Sequence, residues 1–464
     1  MNTQTMLPHR AMLRMRYDDH EQMNAHLFTD ASEALAFALV GVRETDHASA
    51  YTVREVIPIA HDTPGLHRAP NQLRWPLATI LPPLFDRASA EGLMLLKIHS
   101  HPMGWLRFSE TDDASDRELG RAMASLGGEG AKIISAVMIP GGEMIARLIS
   151  DGGATFTYLD GVLRGGSGRY FKDVHKPKGA RNDTRHFSSE RDSEALGGHA
   201  RKTFSTLRVG VVGCSGTGSH VIHQLARLGV GELVLVDPDD LDEANLSRVL
   251  FGYRKDIGKP KVELAAAAVN AIDPDIGTLG IAARLYDADA VDALASCDVL
   301  FGCVDALEPR EVLSRLAERD LIPYFDVGVG CVAGEGGGIV QAQAGVHVID
   351  PGDRGLMARG LYSAARLGDE MKARYLPEHH DQLQQDGYIE GARDPGPAII
   401  SLNGVGASMA VCEFVQRFCF DRQERTDHLL HSWSHNLLYA RSTGVGRGAS
   451  AGVAARDPNL GMVF

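Results

Sequence analysis

With 464 residues and a formal net charge of −13, the chain is long enough for two or three domains with substantial cores. Its acidic balance argues against a nucleic-acid backbone as the main partner, because such binding rests on neutralising phosphates. No apolar run of signal-peptide length opens MNTQTMLPHRAMLRMRY, and no window approaches the roughly 18 apolar residues of a membrane span, so a soluble cytoplasmic protein is expected.

The six cysteines, Cys214, Cys297, Cys303, Cys331, Cys412 and Cys419, form no C-x-x-C pair, which speaks against a disulfide framework and a cysteine-based zinc site. Residues 1–30 are poorly patterned. SEALAFALVGV then reads as a short apolar helix, with Ser32 placed to cap it and Gly41 to end it. Two candidate strands lie around ASAYTVREVIPIA, followed by a polar, proline-containing loop. EGLMLLKIHSHP opens as an apolar strand and ends in ligating side chains. A helix over 117–126 and strands at AKIISAVMI, MIARLI and ATFTYLD complete a compact α/β unit over residues 1–162. Glycine, charge and histidine dominate 163–203, read as a linker. From 204 to 464 strands and helices alternate again, interrupted by a charged excursion at about 353–397 of the length that tends to be functional. A long apolar helix at IISLNGVGASMAVCEFVQRF follows, with an edge strand expected at WSHNLLYARS.

Two constellations carry chemistry. His99, His101 and Asp112 form H-x-H-x₁₀-D. On a strand the two histidines point the same way, because side chains alternate. Two imidazoles and one carboxylate leave a fourth tetrahedral position for water, as catalytic zinc requires. HSHPMGWLRFSETD matches residue for residue the H-S/T-H-P-x₆-S-x-x-D signature of the JAMM (JAB/MPN-plus) metalloproteases, which the first domain resembles. The resemblance implies a cytidine-deaminase-like α/β fold with Zn²⁺ on His99, His101 and Asp112. It implies that Ser109 donates a hydrogen bond to the tetrahedral intermediate, and that an upstream glutamate is the acid–base group. Glu33 is the first choice for that group, with Glu44 and Glu55 as fallbacks. The activity implied is peptide or isopeptide hydrolysis beside the C-terminus of ubiquitin or a ubiquitin-like protein.

The second constellation runs from Leu207 to Arg248. A buried-strand pattern enters a glycine loop at Gly213, Gly216 and Gly218, and a helix leaves it, so that backbone N–H groups and the helix N-terminus face an anion. A second strand ends at Asp237, the usual place for a ribose-binding carboxylate. Asp239, Asn245, Arg248, Lys259 and Lys261 then follow closely. Hydride transfer needs no such cluster, whereas attack on an α-phosphate does, which favours ATP chemistry.

Over about 185–440 the chain resembles the ThiF/MoeB-type superfamily, the Rossmann-like fold of ubiquitin-activating (E1) enzymes. GCSGTG, DPD, NLSR, GKPK and CVDALEPR stand in the order of the family's G-x-G-G-x-G, D-x-D, N-L-x-R, G-x-P-K and C-x-D-N-x-x-x-R. The resemblance implies that Asp237, with Asp239 as a second candidate, holds the ribose, that Asn245, Arg248 and Lys261 contact phosphates, and that Asp305 binds Mg²⁺. Arg191, six residues before Gly197, is the candidate finger over the γ-phosphate of a partner subunit in a homodimer. Three departures stand out: Ser215 replaces a loop glycine, Ala306 replaces the asparagine after Asp305, and Gly355 and Ala358 replace a C-x-x-C pair, so no second zinc is expected. The 353–397 segment, where thioester-forming relatives carry a cysteine, has none; Cys331 is the nearest candidate.

Together the halves imply a bifunctional enzyme that activates the glycine C-terminus of a ubiquitin-like protein with ATP and cleaves the same protein with zinc. An E2-like protein would receive the product. Sulfur-carrier activation and processing, for cofactor or thio-metabolite synthesis, is the alternative.

Overall fold

The computed structural model describes residues 7–166, 168–174, 201–376, 399–419, 430–436 and 441–446. The chain divides into two compact units, Pro8–Asp183 and a second made of Met1–Leu7 and Thr184–Phe464. Among the described residues no helix is long and apolar enough to cross a membrane.

The first unit contains β1 (Arg10–Arg16), α1 (Tyr17–Leu27), β2 (Leu35–Glu44), β3 (Ala48–Pro58), β4 (His67–Ala69), β5 (Gln72–Arg74), α2 (Leu77–Glu91), β6 (Met94–Ser100), α3 (Glu110–Gly127), β7 (Ile133–Met138), β8 (Met144–Ser150), β9 (Thr155–Tyr158), β10 (Gly161–Gly166) and β11 (Arg169–Val174). All but β4 and β5, which make a separate hairpin, join one sheet in the order β11-β10-β1-β3-β2-β6-β7-β8-β9. One face packs Met23 and Leu27 of α1 against Ala36, Leu96 and Ile98. The other packs Leu81 and Ala88 of α2 and Leu119 and Met123 of α3 against Leu39 and Leu95.

Five expectations need correction here. The apolar run after Glu33 is not a helix but β2, paired on both sides by β3 and β6 and buried throughout Leu35–Val40. A short all-apolar run has no periodicity to separate a doubly covered strand from a buried helix. The supposed loop holds α2, masked by Pro82 and Pro83 inside it, residues that normally signal a helix end. α1 was missed because its buried face includes Asp19 and His20, which leaves little apolar period. Leu163 does not begin a linker: β10 pairs with β1 in parallel and β11 closes that edge. ASAYTVREVIP is a single strand, β3.

The second unit contains β12 (Arg208–Val212), α4 (Gly216–Arg227), β13 (Glu232–Val236), α5 (Lys261–Ile272), β14 (Gly277–Ile281), α6 (Ala288–Ala295), β15 (Val299–Gly302), α7 (Leu307–Asp320), β16 (Tyr324–Ala333), β17 (Ile339–Ile349), α8 (Ala364–Tyr375), α9 (Ile400–Cys419), β18 (Leu430–Asn436) and β19 (Arg441–Gly446). The sheet order is β14-β13-β12-β15-β16-β17-β18-β19. It is parallel from β14 to β16 and antiparallel beyond. β12 and β15 are fully buried, as central parallel strands covered on both faces must be. The chain leaves β12 toward β14 and returns to β15 on the other side, so a crevice opens at the carboxyl ends of β12 and β15, where such sheets bind ligands. α9 covers one face through Phe414, which packs on Phe204, Phe301 and Phe325. The expected edge strand is a hairpin, with β19 outermost.

Candidate functional site

In the first unit the alternation of β6 sends Lys97 and His99 to the face that carries α3, and His101 continues that line, its N–H bonded to the Met138 carbonyl at 2.8 Å. α3 begins with a capping box: Asp112 N–H donates to Ser109 Oγ, and Ser109 N–H donates to the Asp112 carboxylate at 2.7 Å. The cap therefore aims Asp112 back toward the strand end.

There the three expected ligands meet. Asp112 Oδ1 lies 2.8 Å from His99 Nε2, Asp112 Oδ2 lies 3.4 Å from His101 Nε2, and the two Nε2 atoms are 3.1 Å apart. Zinc with bonds of about 2.0–2.1 Å places neighbouring tetrahedral ligands roughly 3.3 Å apart, so the donor triangle has the size and chemistry for Zn²⁺. His101 Nδ1 lies 2.8 Å from the Trp105 carbonyl; an N–H donated there leaves Nε2 with its lone pair toward the metal. His99 is 2% exposed, and its Nδ1 is buried without a hydrogen-bond partner. Burial would raise the Asp112 carboxyl, but the His101 and His99 hydrogen bonds overcome it and hold it well below the usual carboxylate range.

Beneath this triangle lies a buried charge network. Lys97 Nζ donates to Asp116 at 2.9 Å, Arg147 donates to Asp116 through Nε and Nη2 at 3.0 and 2.7 Å, and Ser135 Oγ adds a bond of 3.1 Å. Asp116 stands one helical turn after Asp112, and Lys97 two residues before His99 on the same strand face. The network therefore fixes α3 against β6, and with it Asp112 against the histidines.

A cavity at the triangle is lined by Glu33, Lys97, His99, Ser109 and Asp112, with Gln72 and Trp75 from the β4–β5 region. Of the three candidate glutamates, Glu33 reaches this cavity. Glu44 faces Lys132, and Glu55 is held by Arg87 at 2.6 Å. Burial pushes the Glu33 carboxyl up to about 7, His101 and Lys97 opposing and the Asp112 charge adding, which is the range of a group that exchanges protons near neutrality. The expected role of Ser109 meets a competitor: its hydroxyl donates to Asp112 Oδ2 at 2.7 Å. Sequence pattern missed Lys97, Asp116 and Arg147. Their signal was an internal one, a lysine inside an apolar strand that requires a buried acid.

In the second unit the glycine loop follows β12. Gly213 has φ 88° and faces the Cys303 carbonyl, and a Cβ on Gly218 would strike the Gly213 carbonyl oxygen. Glycine is therefore required at both positions. Asp237, 4% exposed at the end of β13, accepts from Cys214 N–H at 2.6 Å and from Asp239 N–H at 2.9 Å. It braces the glycine loop from the end of the neighbouring strand. Its carboxyl is raised by burial, with Lys261 opposing. The Lys261 ammonium, nearly buried, bonds the Asp239 carboxylate at 3.0 Å. Asn245 builds the turn before Arg248 through a reciprocal cap with Asp242, and the Arg248 side chain lies beside Gly216.

Cys303 packs on the loop, its N–H bonded to the Val212 carbonyl at 2.8 Å, and two residues later Asp305 is exposed at the crevice. A loop that admits no side chain, a buried carboxylate at the end of β13, nearby cations and an exposed carboxylate on the neighbouring strand end fit ATP with Mg²⁺. Cys331 lies within β16, 5% exposed, and Arg191 lies outside the described residues. Asn403 was missed: at the start of α9 it abuts Gly216, and its Oδ1 is buried without a partner. It sits in what the sequence shows only as an apolar helix.

Residues 188–431 match the model of the ThiF family. Over 130 residues the chain is 34% identical to the SAMP-activating enzyme E1 of Haloferax volcanii, a stretch that makes 28% of this chain and 48% of that protein. It is 32% identical over 123 residues to the sulfur carrier protein ThiS adenylyltransferase of Escherichia coli K12, covering 26% of this chain and 48% of the relative. It is 36% identical over 107 residues to the molybdopterin-synthase adenylyltransferase of the same organism, covering 23% and 43%. The chain thus spans about half the length of these curated relatives or less. Among solved structures, E. coli MccB with ATP aligns with a TM-score of 0.41 at 17% identity, over 57% of this chain and 75% of that one.

Proposed function

The chain belongs to the ThiF family, and from that premise we propose that it adenylates the C-terminal carboxylate of a small protein ending in glycine and that its first unit hydrolyses bonds at the same terminus. The observation that carries the first half is the gathering of Gly213, Gly218, Asp237, Lys261 and the Cys303–Asp305 strand end around one crevice. A carboxylate oxygen of the tail attacks the α-phosphorus of ATP. The bond to the α–β bridging oxygen breaks, and pyrophosphate leaves with that electron pair. Asp237, with Asp239, holds the ribose, while Asn245, Arg248 and Lys261 hold phosphate oxygens. Asp305 would hold Mg²⁺, which when bound would supply positive charge to offset the charge that develops. Arg191, from the second subunit of a homodimer, is the candidate for the γ-phosphate.

The His99–His101–Asp112 triangle supports the hydrolase half. Zinc there would make a bound water acidic enough to react near neutral pH. Glu33 takes and returns the proton beside it, and Ser109, whose hydroxyl donates to Asp112 here, would have to turn from that carboxylate to donate to the oxyanion. The names of the relatives divide between a SAMP-activating enzyme and sulfur-carrier adenylyltransferases, so the small protein is either a ubiquitin-like modifier, passed on to an E2-like acceptor in the cytoplasm, or a sulfur carrier. Pyrophosphate exchange into ATP tests the adenylation: it should require a small protein with a free glycine C-terminus, and its absence with every such partner removes the reading.

A further inference from the structure

Asp305 stands at the amino end of α7, and that end is capped in an unusual way. Ala306 occupies the N-cap position with extended backbone, φ −93° and ψ 152°, and its side chain caps nothing. The first helical amides are instead satisfied from 63 residues downstream: Leu307 N–H donates to the Glu370 carboxylate at 2.8 and 3.0 Å, and Glu308 N–H donates to it at 3.2 Å. Glu370 belongs to α8, a helix with no buried residue. Polar links tie α8 to α7: Tyr375 Oη donates to Glu308 at 2.8 Å, and Arg374 Nη1 donates to Glu308 at 3.2 Å. A carboxylate is the strongest acceptor available for helix-start amides, because it also meets the positive end of the helix dipole.

On this geometry, and on the adenylation reading above, we infer that Glu370 is a positioning residue for Asp305. It replaces a capping side chain that position 306 lacks, and so fixes the strand-to-helix turn that presents the Asp305 carboxylate to the crevice. α8 is thereby coupled to the metal end of the nucleotide site. When α8 is seated, the turn is held; when α8 lifts, two amides lose their acceptor and the turn loosens. Because the cap is supplied from a distance, a local cap should substitute for it. Ala306 already has the backbone conformation that a capping serine needs.

The test uses the full chain, a fluorescent ATP analogue (mant-ATP) and Mg²⁺. Glu370→Ala should raise the Mg²⁺ concentration needed for half-maximal mant-ATP binding about five- to tenfold, and Glu370→Gln, which keeps one acceptor oxygen, should fall between that variant and the parent. Adding Ala306→Ser to Glu370→Ala should bring the requirement back to within about twofold of the parent. Hydrogen exchange on nucleotide-free protein gives an independent readout: the Leu307 and Glu308 amides should lose protection in Glu370→Ala, and the Glu308 amide, the one a capping hydroxyl at position 306 reaches because residue 309 is proline, should regain it in the double variant. An unchanged Mg²⁺ requirement in Glu370→Ala overturns the inference, as does failure of Ala306→Ser to restore it once the Glu308 amide is protected again. A parent chain that binds no mant-ATP sinks the adenylation reading instead, and the exchange at Leu307 and Glu308 still decides whether Glu370 is the cap.

Discussion

Replacing Asp116 by asparagine keeps its shape and removes its charge. In the parent, Asp116 is fully buried and is the acceptor for Lys97, for two nitrogens of Arg147 and for Ser135. Arg147 survives the change in part, since it also bonds Asp113 and lies 3.8 Å from the centre of the Phe108 ring and 4.0 Å from that of Phe156. Lys97, 2% exposed, would keep no carboxylate bond in its place. Breaking a buried pair by removing one partner costs about 3–5 kcal/mol, because the remaining charge stays desolvated. Against a domain stability of about 5–15 kcal/mol, that loss takes a large share of what holds the first unit. Urea unfolding followed by tryptophan fluorescence, with Trp75 and Trp105 in this unit, should show the loss. It should be run with a chelator present, so that metal binding does not mask it. A loss below about 1 kcal/mol would refute the view that this network pins α3 to β6.

Three further outcomes are expected. The purified chain should carry one zinc per chain; His101→Ala should lose it, while Glu33→Ala should keep it and lose hydrolysis, as metal analysis and a cleavage assay will show. Gly218→Ala should abolish nucleotide binding measured by calorimetry, because the new methyl meets the Gly213 carbonyl oxygen. His347 on β17 is lowered to about 4 by burial, below the ordinary value of about 6.5. The unfolded state then binds more protons between pH 6.5 and 4, so stability falls as pH drops through that window, by at most about 3 kcal/mol. In urea midpoints of the second unit, His347→Gln should remove that component.

What could be read in advance followed from how local the cause was. The glycine loop, the β13 carboxylate and the H-x-H strand are short-range devices whose spacing dictates their geometry, so the expected metal triangle and the expected loop each assemble within one unit. β2 was mistaken for a helix because burial on both faces erases the period of two. α2 was missed because of its internal prolines. The Lys97–Asp116–Arg147 network, the Asn403 contact and the Glu370 cap join residues that are far apart in sequence. No local pattern announces such pairings.

The most direct test of one tail served by two centres is a small glycine-terminated partner made with a few extra residues beyond its final glycine. Incubated with the zinc-loaded chain, ATP and Mg²⁺, this precursor should be trimmed to the glycine and then appear by intact mass as its AMP adduct, while the Glu33→Ala chain should adenylate only the partner already ending in glycine. A chain that adenylates the mature partner yet never trims the precursor, or that trims it without ever forming an adduct, would contradict the account.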